Sequence, residues 1–481
     1  MKLSVDQDQA LKAILAGKNV FLTGSAGTGK STVIQQFKER TKKNFAIVAP
    51  TGIAAINVGG QTIHSFFMLP FGLMTQESVS ELKFRSKKSM LRLVDTIVID
   101  EISMVRSDVF AAIDYRLKQC ADRKHQNLPF AGKQIVCCGD FFQLPPIVST
   151  QLEHDWLNDN FGGEFAFQTV LWKQCNFASF ALKTQFRHKD DAMFFKMLEN
   201  IRHGTLTAPT IDINGKKTNV IDAFNRSCVC EKTFSHMPTR LCTTNREVQT
   251  INNSARAKIN FPPVLFNAVI SGNFNEDDYP TESQLVLKLG LRVMILVNKR
   301  TADGSFMYVN GDCGEILEIR GTDIESKIKI RLDNGHDVWI QANEWQKTKY
   351  VLDHDLMSGK PILRQEVIGT FLQMPLKLAY AITIHKSQGM TLDCVDLRLG
   401  NGCFAHGQLY TALSRVRNLN GLKIERQLTV DDVILDEQVV DFYSQFSNTA
   451  DANNDTVQLD IPLQYQEEMR RYLEELKSKS H

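Results

Sequence analysis

Residues 20–43 read VFLTGSAGTGKSTVIQQFKERTKK. The run VFLTG is apolar until its glycine, as a buried strand would be, and the stretch from Ser31 onward has the amphipathic pattern of a helix. Between them, GSAGTGKS at 24–31 fits G-x-x-x-x-G-K-[ST] in full, in the strand–loop–helix setting that the motif needs. The residue types suit a triphosphate. Gly24, Gly27 and Gly29 let backbone N–H groups turn inward on phosphates, with Ser25, Ala26 and Thr28 completing the loop and Thr32 following it. Lys30 neutralises the β- and γ-phosphates, and Ser31 offers a hydroxyl to Mg2+.

Three more runs share the character of the first: AIVAP at 46–50, TIVIDE at 96–101 and IVCCGD at 135–140. Val/Ile-rich runs that each end in a Gly, Pro or acidic residue read as strands of a parallel sheet covered on both faces, so the first part of the chain is α/β. The run TIVIDEIS ends its strand with two adjacent carboxylates. Asp100 is placed to hold magnesium through water, and Glu101 to polarise the attacking water. In GDFFQLPP at 139–146, Gln143 is a neutral donor and acceptor on a loop, suited to sensing the γ-phosphate; Asp140 either shares that role or caps the loop backbone. Residues 68–92 break the rhythm with Lys83, Arg85, Lys87, Lys88 and Arg92 beside Phe71 and Phe84. They form either a solvated basic loop or a small inserted subdomain that touches nucleic acid.

A second α/β stretch begins near Leu182 and includes RLCTTN at 240–245, KLAYAITIH at 377–385 and VDLRLG at 395–400. From about 291 to 374 short pieces alternate apolar and polar residues around a DNG turn, which predicts a small antiparallel barrel inserted in the second lobe. Residues 447–460 read as a polar linker and 461–478 as a terminal helix. The domains expected are 1–180 with the insertion at 68–92, 181–446 with the inserted barrel, and 447–481. Bulk properties exclude little. The 481 residues carry 56 Lys and Arg against 54 Asp and Glu, so a net charge of +2 leaves nucleic-acid contacts to local grooves. The 10 cysteines form no CxxC pair and read as inert thiols of a reducing compartment. With no signal-peptide order and no run near the roughly 18 apolar residues of a membrane span, the expectation is a soluble intracellular protein, cytoplasmic if prokaryotic.

In order, GSAGTGKS, APTGIAAINVGGQTIHSFF at 49–67, DEISMVRSD at 100–108, GDFFQLPP, LKTQFRHKDDAMFF at 182–195, VNGDCGEI at 309–316, AYAITIHKSQGMTLD at 379–393 and GQLYTALSRVR at 407–417 resemble the Pif (petite integration frequency) family of superfamily 1 DNA helicases. The resemblance spans most of residues 1–425. It implies two RecA-like parallel-sheet lobes, a small wedge subdomain at 68–92 and an SH3-like β-barrel. It also implies ATP with Mg2+, and a monomeric motor moving 5′ to 3′ on single-stranded DNA. That motor would unwind forked or tailed duplexes, with G-quadruplexes and RNA–DNA hybrids as further substrates, in replication, repair or recombination. Gln7 resembles the glutamine that reads adenine, Arg187 and Arg415 the arginines that reach the γ-phosphate from the second lobe, and Gln388 and Gly389 residues beside the phosphates. Pro50, Thr51, His64, Thr383, His385, Lys386 and Ser387 resemble contacts to a single-strand backbone, with Phe66, Lys87 and Lys88 added as DNA contacts. Hydroxyl, amide and imidazole donors hold phosphates without reading bases, as a motor indifferent to sequence requires. An RNA helicase or a P-loop switch without directional motion are the alternatives.

Overall fold

The computed structural model describes residues 3–448 except 71, 82–84, 189–190, 214, 235, 302–305, 324 and 355–360. The expected linker and terminal helix after 448 lie outside the described residues. The chain forms two compact units. One takes in residues up to Arg187, 347–368 and the helix from Glu437; the other takes in His188–Gln346 and Gly369–Asp436.

In the first unit, β1 (Val20–Gly24), β2 (Phe45–Ala49), β3 (Gln61–Thr62), β4 (Thr96–Ile99), β5 (Gln134–Cys138) and β6 (Ala178–Leu182) form one parallel sheet ordered β3-β2-β4-β5-β1-β6. Alternation along β1 divides its side chains between two cores. Val20 and Leu22 pack with Leu11 and Ile14 of α1 (Val5–Leu15) and with Val33 and Phe37 of α2 (Lys30–Arg40). Phe21 meets Phe141, Trp172 and Phe442 at ring-centroid distances of 5.3–5.9 Å. Both faces are therefore sealed, which is why the strands read as unbroken apolar runs.

The excursion at 68–92 contains helices Gln76–Glu81 and Arg85–Leu93, placed against helix Ser107–Cys120. Two buried charges of that helix hold it. Asp108 accepts from the Met74 N–H at 2.8 Å, and Arg116 donates to the carbonyls of Phe67, Met68 and Val79 at 3.0, 2.8 and 2.9 Å.

The second unit has a four-stranded parallel sheet in the order Ala381–Thr383, Thr239–Cys242, Val395–Arg398, Leu422–Ile424. Its insertion is a five-stranded antiparallel sheet, Asp337–Gln341, Lys327–Leu332, Cys313–Arg320, Arg292–Ile295 and Leu376–Leu378, over a core of Val293, Ile316, Ile328, Ile330 and Ile340. Of the barrel expected over about 291–374, the structure shows this open-ordered sheet for the first part, whereas strands Asn343–His354 and Pro361–Gln373 join Val269–Gly272 in a separate sheet, and no closed barrel is formed among the described residues.

Two segments lie elsewhere than the sequence pattern suggests. The strand ending at Leu182, taken as the start of the second half, pairs with β1 as the sixth strand of the first sheet. Helix Glu437–Asn448 belongs to the first unit. A short apolar run does not encode which sheet it joins, and that choice is made by long-range packing. Among the described residues, no helix is long and apolar enough to cross a membrane.

Candidate nucleotide site and nucleic-acid surface

Because the six strands are parallel, the loops after β1, β2, β4, β5 and β6 leave from one edge of the sheet. The strand order reverses at β1, the switch point where open α/β sheets bind ligands. Five sequence segments singled out for chemistry share this edge.

After β1 the phosphate loop is already wrapped. Lys30 Nζ donates to the carbonyls of Gly24 and Ser25 at 2.7 and 3.2 Å, and Thr28 Oγ1 donates to the Ser25 carbonyl at 2.9 Å. Ser31 is exposed on the first turn of α2, with Thr32 half-buried beside it, while Ser25 and Ala26 are buried. Glycine is required by backbone angle at two points, and by space as well at the first. At Gly27 (φ +86°) a Cβ would stand 2.4 Å from Arg187 Cβ, and at Gly29 (φ +79°) 2.4 Å from Gln7 Nε2.

Gln7 is buried on α1, accepts from the Ser4 N–H at 3.1 Å, and donates to the Thr28 and Gly29 carbonyls at 3.1 and 3.4 Å. The expected adenine reader thus touches the phosphate loop itself. The segment after β6 runs beside the same loop, for the Phe186 N–H donates to the Gly27 carbonyl at 3.0 Å. Asp6 fixes this segment by accepting from the Lys183 and Thr184 N–H groups at 2.8 and 3.1 Å. Arg187 therefore comes from the first unit, not from the second lobe as expected, because β6 joins the first sheet. The half-exposed ring of Phe186, which the sequence reading passed over, would lie 3.5 Å from a Cβ at Gly29.

At the end of β4, successive strand side chains would point to opposite faces. The left-handed conformation of Glu101 (φ +50°) breaks that alternation and re-aims the second carboxylate. Burial pushes the Asp100 carboxyl above the usual range, against the Glu101 N–H, the Cys138 thiol and the Lys30 charge, which pull it down. Cys138, at the end of β5, feels Asp100, Lys30 and Glu101 and is held well above its ordinary value, chiefly by burial. It stays a buried, protonated thiol beside Asp100, in keeping with the inert thiol expected from the sequence. Asp140 caps its own loop, its carboxylate accepting from the Phe142 N–H at 3.3 Å and its carbonyl from the Gln143 N–H at 2.9 Å.

A second concavity, about 200 Å³, brings Pro50, Thr51 and His64 together with Met104, Arg106 and Ile147. Thr51 also caps helix Gly52–Val58, its hydroxyl accepting from the Ala54 N–H at 3.3 Å. Burial and the neighbouring Arg106 hold His64 below its ordinary value, against the pull of Asp108. Arg106, Met104 and Ile147 were legible only as neighbours of DEIS and GDFFQLPP. Phe66 corrects an expectation: it is fully buried, edge-on to Phe67 at 4.8 Å, and presents no ring to a base. Lys88 is half-buried on helix Arg85–Leu93; the side chain of Lys87 lies outside the described residues, as do Lys83, Phe84 and Phe71.

In the second unit, Thr383 ends a strand and His385–Ser387 form a single turn of 3-10 helix. Lys386 is exposed and His385 half-buried, its value lowered by burial. Thr383 and Ser387 are buried scaffold. The Thr383 hydroxyl accepts from the Lys386 N–H at 3.2 Å, and the Ser387 hydroxyl donates to the Ile384 carbonyl at 2.7 Å. The backbone carbonyl of Ser387 accepts from Arg415, which also donates to the Thr411 carbonyl at 2.8 Å and the Ser414 hydroxyl at 2.7 Å. Gln388 is half-buried, and Gly389 (φ +79°) is exposed with open space around its Cα.

The PIF1-like helicase family pattern matches residues 2–212. The ATP-dependent DNA helicase Pif1 of Bdellovibrio bacteriovorus is 32% identical over 454 residues, 93% of this chain and 92% of that protein. The crystal structure of Bacteroides sp Pif1 in complex with ADP-AlF4 superposes with a TM-score of 0.81 at 33% identity, over 93% of this chain and 97% of that one. Bacteroides Pif1 bound to ssDNA gives a TM-score of 0.62 at 34% identity, with the same coverage of 93% and 97%.

Proposed function

The chain belongs to the Pif1 family of ATP-dependent DNA helicases, and from that premise we propose how its own residues drive the motor. It is a helicase that hydrolyses ATP and binds DNA, built on RecA-like parallel sheets. The observation that carries the reading is the gathering of Lys30, Asp100, Glu101 and the Gln143 loop at one sheet edge around the switch strand β1. Lys30 meets the β- and γ-phosphates, exchanging neutral carbonyl acceptors for anionic oxygens, and the loop N–H groups and α2 N-terminus hold the rest. Glu101 orients the attacking water, Gln143 senses the γ-phosphate, and Arg187 and Arg415 offset the charge of the transferring phosphoryl group. Gln7 and Phe186 form the adenine subsite, one by its amide and the other by its ring.

Magnesium fits this donor set. Ser31 supplies a hydroxyl and Asp100 a carboxylate whose charge burial penalises until a cation neutralises it; both are hard oxygen donors. When bound, the ion would supply positive charge that offsets that of the phosphates, held by Ser31 and Asp100.

In the first unit Pro50, Thr51, His64 and Arg106 offer contacts to a single-strand backbone, and in the second unit His385 and Lys386 do so in their own right. The motor acts as a monomer, moves 5′ to 3′, and loads on single-stranded tails and forks, with the helices at 76–93 acting at the duplex junction. Lys87 and Lys88 supply cations there. Stimulation of ATP hydrolysis by DNA and RNA oligomers of matched length tests the assignment: DNA should stimulate and lose its effect steeply with salt. Equal stimulation by RNA, or none by either, would move the chain to the remodeller or the switch.

A further inference from the structure

Helix Glu437–Asn448 carries none of the motifs, yet it supplies a hydroxyl to the heart of the nucleotide edge. In the loop after β5, Asp140 satisfies two backbone N–H groups, those of Phe142 and Gln143. The third, on the fully buried Phe141, donates to the hydroxyl of Tyr443 at 3.2 Å. The same hydroxyl lies 2.8 Å from Thr23 Oγ1, on the residue just before Gly24 and 420 positions away in sequence. The Tyr443 ring stacks on Phe142 at 4.6 Å and 20°, while Phe442 stacks on Phe167 at 4.3 Å and 21° and stands edge-on to Phe141. One buried hydroxyl thus joins the strand that enters the phosphate loop to the loop that carries Gln143.

We propose that Tyr443 is a positioning residue for ATP hydrolysis, its hydroxyl fixing the Gln143 loop against the strand that leads into the phosphate loop. The inference rests on the reading of Gln143 as the γ-phosphate sensor. Packing alone asks only for a ring at 443, because phenylalanine fills the same space and keeps the stack. Its contacts to Thr23 and to the Phe141 N–H fall on the strand that leads into the phosphate loop and on the loop that carries Gln143.

The test is a double-mutant cycle on the full chain, read as steady-state ATP hydrolysis with saturating oligo-dT, with thermal melts alongside. Tyr443→Phe should lower kcat on the order of tenfold, the equivalent of one misplaced polar contact at the transition state, and leave KM for ATP within about twofold. In a Gln143→Ala background the same change should add nothing, because the group it positions is gone. Wild-type kcat in Tyr443→Phe, or an equal loss in both backgrounds, overturns the inference while the sensor reading stands. Wild-type kcat in Gln143→Ala overturns the sensor reading and, with it, the route assigned to Tyr443. Should Tyr443→Phe fail to fold, Thr23→Val removes the other partner of the hydroxyl at constant shape and is held to the same pattern.

Discussion

Lys30 already donates to two carbonyls of its own loop, so its ammonium is aimed before a nucleotide arrives. Lys30→Ala should cut ATP turnover by on the order of 10²-fold or more, by analogy with removing one preorganised donor from developing charge, in a protein that still melts cooperatively. Near-normal turnover in a folded variant would remove the loop from the chemistry. Asp100 argues in the other direction. Burial raises its carboxyl, so its folded-state charge is held at a cost to stability that asparagine does not bear. Asp100→Asn should abolish Mg2+-dependent hydrolysis and raise the melting temperature of the nucleotide-free protein. A lowered melting temperature would make Asp100 a structural residue. His64 gives the pH dependence. Its folded value lies below the ordinary 6.5, so the unfolded chain binds the proton first and stability falls as pH drops from about 6.5 toward the folded value. Urea midpoints at pH 7 and 5.5 should converge in His64→Gln relative to wild type; an unchanged gap would mean that His64 does not titrate in this window.

Among the elements, the excursion at 68–93 hangs on helix Ser107–Cys120 through Arg116, whose buried guanidinium answers three carbonyls. Arg116→Met should destabilise the protein by about 3–5 kcal/mol, the scale for breaking a buried charged hydrogen-bond group. Proteolysis within 68–93 should quicken, and unwinding should fall more than single-strand-stimulated ATP hydrolysis; equal losses in both activities would detach this element from strand separation. The elements differ in how plainly the sequence announces them. GSAGTGKS, TIVIDEIS and GDFFQLPP are each contiguous, with an apolar strand before a loop of small, acidic or amide residues, and local physics writes that pattern openly. Nothing local marks Ala178–Leu182 as the neighbour of β1, nor Tyr443 as the partner of Thr23, since those pairings follow from packing between distant segments. Phe66 misled because an aromatic in a polar motif reads alike whether it faces solvent or, as here, Phe67.

For the whole molecule, two parallel-sheet units each bring charged and hydroxyl-bearing residues to the ends of their strands, and the family places ATP-driven work on DNA behind that architecture. Hydrolysis alone does not distinguish a motor from a switch, because both would use Lys30, Asp100 and Glu101. Glu101→Gln should bind ATP and hydrolyse it slowly, so a duplex-opening activity that needs ATP must vanish in that variant while DNA binding persists. The decisive measurement is strand separation of duplexes bearing one 5′ or one 3′ single-stranded tail, with and without ATP, by the wild-type protein and by Glu101→Gln. The 5′-tailed duplex should open only with ATP and only with the wild-type protein, and the 3′-tailed one should stay closed. Opening of the 3′-tailed duplex alone would contradict the proposed direction, and failure to open either while ATP is hydrolysed on DNA would contradict the motor itself.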